Sequence, residues 1–181
     1  MKNFEILNNF PKKIIKNLKE FWEINKDAPL VKGVSFRRLD LSDKELESFK
    51  REMNIPNITH GGYYVGAGHQ HLETHIDGRP TSLNIPIELD LDNSFFYSSK
   101  NPESYYAELR KDLYKLQKYC ASRPYNDEQF EKYNVETPIL INTHVPHGMM
   151  NFSDKRRVLF GITFKDTKYE DVLKTIPTEW L

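Results

Sequence analysis

Apolar residues recur along this chain with two different periods. Ile14, Ile15, Leu18, Phe21 and Trp22 follow Pro11 at spacings of three and four, which predicts a helix with proline in its first turn. Ser42-Asp43-Lys44-Glu45 has the form of a capping box and predicts a second helix running to about Met53. Between the two, Leu30 to Leu41 alternates loosely, as a strand does. From Gly62 the period shortens. Gly62 to His69 is aromatic and β-branched with interleaved glycines, which suits a strand with a bulge or a close backbone approach. Leu83, Ile85, Ile87 and Leu89 alternate strictly with residues such as Asn84 and Glu88. Phe95 to Tyr97, Pro138 to Thr143 and Val158 to Phe164 predict further strands. Tyr105, Leu109, Leu113, Leu116 and Cys120 stand at helical spacing and predict a helix inserted among them, and a last short helix is expected around Tyr169 to Lys174.

Short strands with no βαβ alternation argue for a sandwich or a barrel. The expected fold is mainly β, α+β overall, with a double-stranded β-helix or jelly-roll (cupin-like) core. A single domain is expected over residues 1–181, with helices and a strand (1–56) packing on a core (57–165) that carries an insert at about 100–135. At 181 residues the chain is long enough for one real core, and 38% hydrophobic with 29% charged residues is ordinary for a globular protein. Lys+Arg and Asp+Glu both number 26, so no global field draws the chain to nucleic acid or anionic membrane. Cys120 is the only cysteine, which excludes an internal disulfide and a thiolate metal cluster. No apolar run approaches the ~20 residues of a membrane span. The first ten residues lack the apolar core of a signal peptide, so a cytoplasmic setting is the expectation.

The histidines sharpen the picture. All six (60, 69, 71, 75, 144 and 147) fall in two tight clusters outside the predicted helices. His75-Ile76-Asp77 followed by His147 supplies two imidazoles and a carboxylate, the ligand set of a facial triad that leaves half of an Fe(II) octahedron open. His-x-Asp alone is weak, and His71-Leu72-Glu73 is a rival of equal chemical merit. In one extended strand, 69, 71, 73, 75 and 77 would all share a face. Residues 75 and 77 are preferred because Asp77-Gly78 is a turn signal, and ligands at a strand end can converge on an ion. His144 competes with His147. Arginines at +9 (Arg156) and +10 (Arg157) favour His147, and Arg157 opens a strand from which a planar fork could reach inward to a carboxylate. Arg156 is expected to face outward.

The stretch from His75 to Ile87 and the stretch from Asn142 to Phe160 resemble the two halves of a 2-oxoglutarate/Fe(II)-dependent oxygenase, in particular the small single-domain kind related to aspartyl/asparaginyl β-hydroxylases. The resemblance is concentrated in residues 62–98 and 136–165. It implies that His75, Asp77 and His147 hold Fe(II), that Arg157 binds the far carboxylate of 2-oxoglutarate, and that Asn84 is a cosubstrate contact or else a buried core amide. It further implies that O2 is consumed, that succinate and CO2 are released, and that a C–H bond of a small-molecule, amino-acid or peptide substrate is hydroxylated. Asp77 argues against a halogenase, in which a small residue replaces the carboxylate. Expected rim residues are Tyr63, Tyr64, His69, His71, Arg79, Phe96 and Tyr97, and Arg79 is suited to a substrate carboxylate. The alternative is a cupin-like metal-binding protein, or a non-heme iron enzyme that does not use 2-oxoglutarate.

Overall fold

A computed structural model of the protein describes residues 3–32, 36–90, 92–100, 128, 130–133 and 136–181. The helix expected over Tyr105 to Cys120 lies outside these residues.

Two antiparallel sheets form the body. In chain order the elements are β1 (Phe4–Ile6), α1 (Lys12–Asn25), β2 (Val31–Lys32), β3 (Arg37–Asp40), α2 (Asp43–Met53), β4 (Ile58–Gly66), β5 (Leu72–His75), β6 (Thr81–Glu88), β7 (Ser94–Ser99), β8 (Phe130–Tyr133), β9 (Ile139–Asn142), β10 (His147–Asn151), β11 (Arg157–Phe164) and α3 (Tyr169–Leu173), with a 3-10 turn at Thr178–Trp180. The larger sheet runs β1-β9-β6-β11-β4-β3-β2, and the smaller runs β5-β10-β7-β8. Strands adjacent in space are mostly distant in sequence, as in a double-stranded β-helix.

The alternation of β6 decides which face is which. Leu83, Ile85 and Ile87 are buried together with Tyr63, Val158, Phe160, Ile162 and Leu140 on the outer face of the large sheet. There they are covered by Ile14, Leu18 and Trp22 of α1 and by Phe49 and Met53 of α2. The two helices form for local reasons. Ser42 caps α2 and Glu45 returns the bond to the Ser42 backbone, completing the capping box. Pro11 precedes α1, where its missing N–H costs nothing. Trp22 Nε1 then donates to Glu88 Oε1 (2.6 Å), tying α1 to the end of β6. The opposite, inner face looks toward the small sheet. Phe4, Ile139 and Ile141 from one sheet pack there with Phe96, Tyr133 and Met149 from the other.

Two expectations are corrected. The aromatic strand begins at Ile58 and stops at Gly66 rather than spanning Gly62 to His69. His69 adopts φ 55°, in the left-handed region. The Ala67 N–H donates to Gln70 Oε1 (2.8 Å) and the His69 N–H to Ser153 O (2.8 Å), which closes a turn. His69 and His71 therefore do not continue the strand of His75, and Asp77 also lies past its end. In addition, β1 at the very start of the chain joins the large sheet, pairing Phe4, Glu5 and Ile6 with Ile141, Leu140 and Ile139. No helix among the described residues is long and apolar enough to cross a membrane.

Candidate metal centre

Register assembles the site. His75 in β5 and His147 in β10 are direct cross-strand partners in the small sheet, with ring centroids 4.4 Å apart. Asp77, just beyond β5, approaches His75 Nε2 with Oδ1 at 3.5 Å. One donor atom from each of His75, Asp77 and His147 lies within 4.8 Å of the others, close enough to share an ion. His147 Nδ1 lies 2.8 Å from the carbonyl of Val145. With its proton donated there, Nε2 is left with the lone pair a metal requires. Burial, and then His75, push the His147 imidazole down to about 4, so it is neutral at pH 7.

Thr143 holds the two halves in place. The Asp77 N–H donates to Thr143 O (3.0 Å), the Thr143 N–H to Pro80 O (3.1 Å), and Thr143 Oγ1 to Arg79 O. The carboxylate loop is thus fastened to the turn that leads into His147.

These groups line one side of a cavity of about 760 Å³ between the sheets. Its other wall is the inner face of the large sheet. Arg157 opens β11 opposite Gly66 of β4, and its guanidinium lies in the cavity wall at 6% exposure. A Cβ at Gly66 would strike that side chain, so only glycine leaves room for it. Arg157 Nη1 contacts Met149 Sδ across the sheets, and no carboxylate among the described residues pairs with the guanidinium. Burial alone pushes it down to about 10, still protonated at neutral pH. Arg156 points away and forms a two-bond contact with Glu88 (2.8 and 3.0 Å). Asn84 lines the cavity and accepts from Ser82 Oγ (2.9 Å). Thr163, also in the wall, has a buried hydroxyl with no partner among the described residues.

Of the expected rim residues, Tyr64, Arg79 and Phe96 line the cavity. Tyr63 does not, because it faces α1 and donates to Leu18 O (2.7 Å). Tyr97 is buried beside Thr74 on the small sheet (3.1 Å between hydroxyls). His71 accepts from the Asn151 N–H (3.0 Å) and rests its ring on Phe152, outside the cavity, and His69 and His144 are exposed. Sequence reasoning missed Phe36 and Arg38, which enter the wall from just before β3 and from β3 itself. The one signal was alternation, since Phe36, Arg38 and Asp40 share a face.

No family model and no curated protein sequence matches this chain. Solved structures do resemble it. They include the non-heme α-ketoglutarate-dependent epimerase SnoN of nogalamycin biosynthesis (8% identity, TM-score 0.61, 91% of this chain and 78% of that one). HygX from Streptomyces hygroscopicus, solved with nickel and 2-oxoglutarate, has 14% identity and a TM-score of 0.53 (92% of this chain, 85% of that one). A prolyl-4-hydroxylase from Pseudomonas putida has 7% identity and a TM-score of 0.55 (91% and 93%). At such identities the likeness establishes a shared fold, the double-stranded β-helix.

Proposed function

We propose that this chain is an Fe(II)- and 2-oxoglutarate-dependent oxygenase that hydroxylates a C–H bond of a small molecule, an amino acid or a peptide. The observation that carries the reading is Arg157. A guanidinium buried without an acidic partner is costly unless an anion completes it. This one faces a cavity whose opposite wall offers two imidazoles and a carboxylate. A dicarboxylate whose one end meets a metal and whose other end meets an arginine fits that pairing. The fold shared with SnoN, HygX and the prolyl-4-hydroxylase, described by their names as α-ketoglutarate-dependent, bound to 2-oxoglutarate, or a hydroxylase, supports it.

In this reading His75, Asp77 and His147 hold Fe(II), and neutral imidazoles with one carboxylate leave the ion a net positive charge. When bound, the iron and 2-oxoglutarate supply O2 activation coupled to oxidative decarboxylation, with succinate and CO2 as products. The chain's own part is to orient and to exclude water. Val145 fixes the His147 tautomer, Thr143 fixes the Asp77 loop, and Arg157 anchors the cosubstrate with Asn84 beside it. No side chain is required as a general base.

The test is titration of 2-oxoglutarate into Mn(II)-loaded protein. Loss of a buried charge partner costs about 2–5 kcal/mol, so Arg157→Ala is expected to weaken binding about 30-fold or more, and Arg156→Ala to leave it unchanged. His75→Ala and His147→Ala are expected to abolish Mn(II) binding. Retention of metal by the double variant, or equal effects of the two arginines, would remove the basis of the assignment.

A further inference from the structure

We infer that the primary substrate is a small molecule bearing an oxyanion, a carboxylate or a phosphate, and that Arg79 and Arg38 bind it at Tyr64. The inference rests on the oxygenase reading for the word substrate, but the subsite stands on its own geometry.

Charge within the cavity is unbalanced. Its lining carries four basic side chains, Lys32, Arg38, Arg79 and Arg157, against one acid, Asp77. In the proposed complex a divalent ion and Arg157 offset the two charges of 2-oxoglutarate and the one of Asp77. Among the described residues the remaining three cations are opposed by Asp40, which approaches Arg38 Nε at 2.7 Å and His60 Nε2 at 3.0 Å without aligned hydrogen bonds. Among the described residues a surplus of about two positive charges therefore remains for whatever else enters, and charge complementarity favours an anion.

The surplus is focused. Arg38 is the direct cross-strand partner of Tyr64, and Arg79 lines the same cavity from the loop beyond Asp77; burial raises the Tyr64 phenol, and the charges of Arg79 and Arg38 oppose that rise. No carboxylate among the described residues pairs with Arg79. The Arg79 backbone is fixed by Thr143, and the Tyr64 ring is fixed by Phe36 at 5.0 Å and by close approach to Gly161. Two guanidiniums from different elements thus share one stretch of cavity wall with one phenol. This point is separate from Arg157, since β4 intervenes between Arg38 and Arg157, about 10 Å at ordinary strand spacing. A cavity of about 760 Å³ takes a metabolite beside a cosubstrate.

The experiment titrates matched probes into Mn(II)-loaded protein saturated with 2-oxoglutarate: hippurate against hippuramide, and phenyl phosphate against phenol. At least one anion is expected to bind about tenfold or more tightly than its neutral partner. Hippurate alone would point to a carboxylate and phenyl phosphate alone to a phosphate. Arg79→Gln and Arg38→Gln should each remove most of that preference, and Arg79→Lys should restore part of it. The same probes titrated without 2-oxoglutarate into Arg157→Ala should still bind. Failure of 2-oxoglutarate to bind would sink the oxygenase reading and leave these probes able to report on Arg79. Equal binding of charged and neutral probes, absence of anion binding, or anion binding lost in Arg157→Ala but not in Arg79→Gln would overturn the subsite.

Discussion

Gly66 shows how much of this site depends on a single atom that is missing. Arg157 reaches the cavity because its cross-strand partner has no Cβ. Overpacking of this kind costs about 1–3 kcal/mol, and here the cost falls on the guanidinium's position. Gly66→Ala is therefore expected to weaken 2-oxoglutarate about tenfold while Mn(II) affinity, measured by electron paramagnetic resonance, stays within about twofold. Unchanged 2-oxoglutarate affinity would mean that Arg157 is not the anchor. His75 with Asp77, and His147 with Arg157, could be picked out in the sequence as candidates because their chemistry is unusual and the spacing within each pair is short. Arg38 could not. It stands about 40 residues from the nearest of them and reaches the cavity only through the β3–β4 register, which no local pattern encodes. His69 and His71 misled for a related reason. A strand face was read through Gly68 and His69, where the backbone turns into the left-handed region.

Among the elements, α1 is the one whose docking reports on pH. Glu88 accepts from Trp22 in α1 and from Arg156 just before β11. Burial works to raise its carboxyl, but the hydrogen bonds from Arg156 and Trp22 and the Arg156 charge prevail and hold it below the ordinary range. A depressed carboxylate stabilises the fold above its unfolded pKa, and that contribution is lost as pH falls through the folded value. Glu88→Gln should therefore lower Tm at pH 7, with the gap from the parent protein closing below about pH 4. A gap independent of pH would place the effect in packing. Trp22→Ala, which empties a fully buried site, should cost about 3–5 kcal/mol in urea unfolding. Both helices were legible, α2 from its capping box and α1 from its apolar spacing, because each carries its signal locally. The three residues of β1 were not, since so short a strand is defined by β9 rather than by its own sequence.

Taken as a molecule, the protein is two sheets whose facing sides carry the two halves of one candidate centre. The three candidate ligands belong to the small sheet and its loop, and Arg157 to the large one. A metal together with 2-oxoglutarate would therefore join the sheets, where metal alone would engage one. Binding at 100 times Kd contributes about 2.7 kcal/mol per ligand. Ni(II) with 2-oxoglutarate should accordingly raise Tm by more than the sum of their separate effects, and EDTA should reverse the rise. Strictly additive shifts would show that the two ligands do not share a site. The sandwich itself was legible from strand length and alternation. The cavity was not, because its volume is set by which strands face each other.

The large sheet's inner face contains a pair of cross-strand glycines, Gly62 and Gly161. Added carbon at Gly161 would meet the Tyr64 ring, and at Gly62 it would meet Asp40 and the β3 backbone. Neither position touches the three candidate ligands. A carbon added at Gly161 would thus press on Tyr64, which lines the cavity, while the candidate ligands on the small sheet and its loop stay in place. A lineage, or an engineer, could therefore reshape the Tyr64 wall of the cavity by a single carbon without rebuilding the wall that carries the candidate ligands.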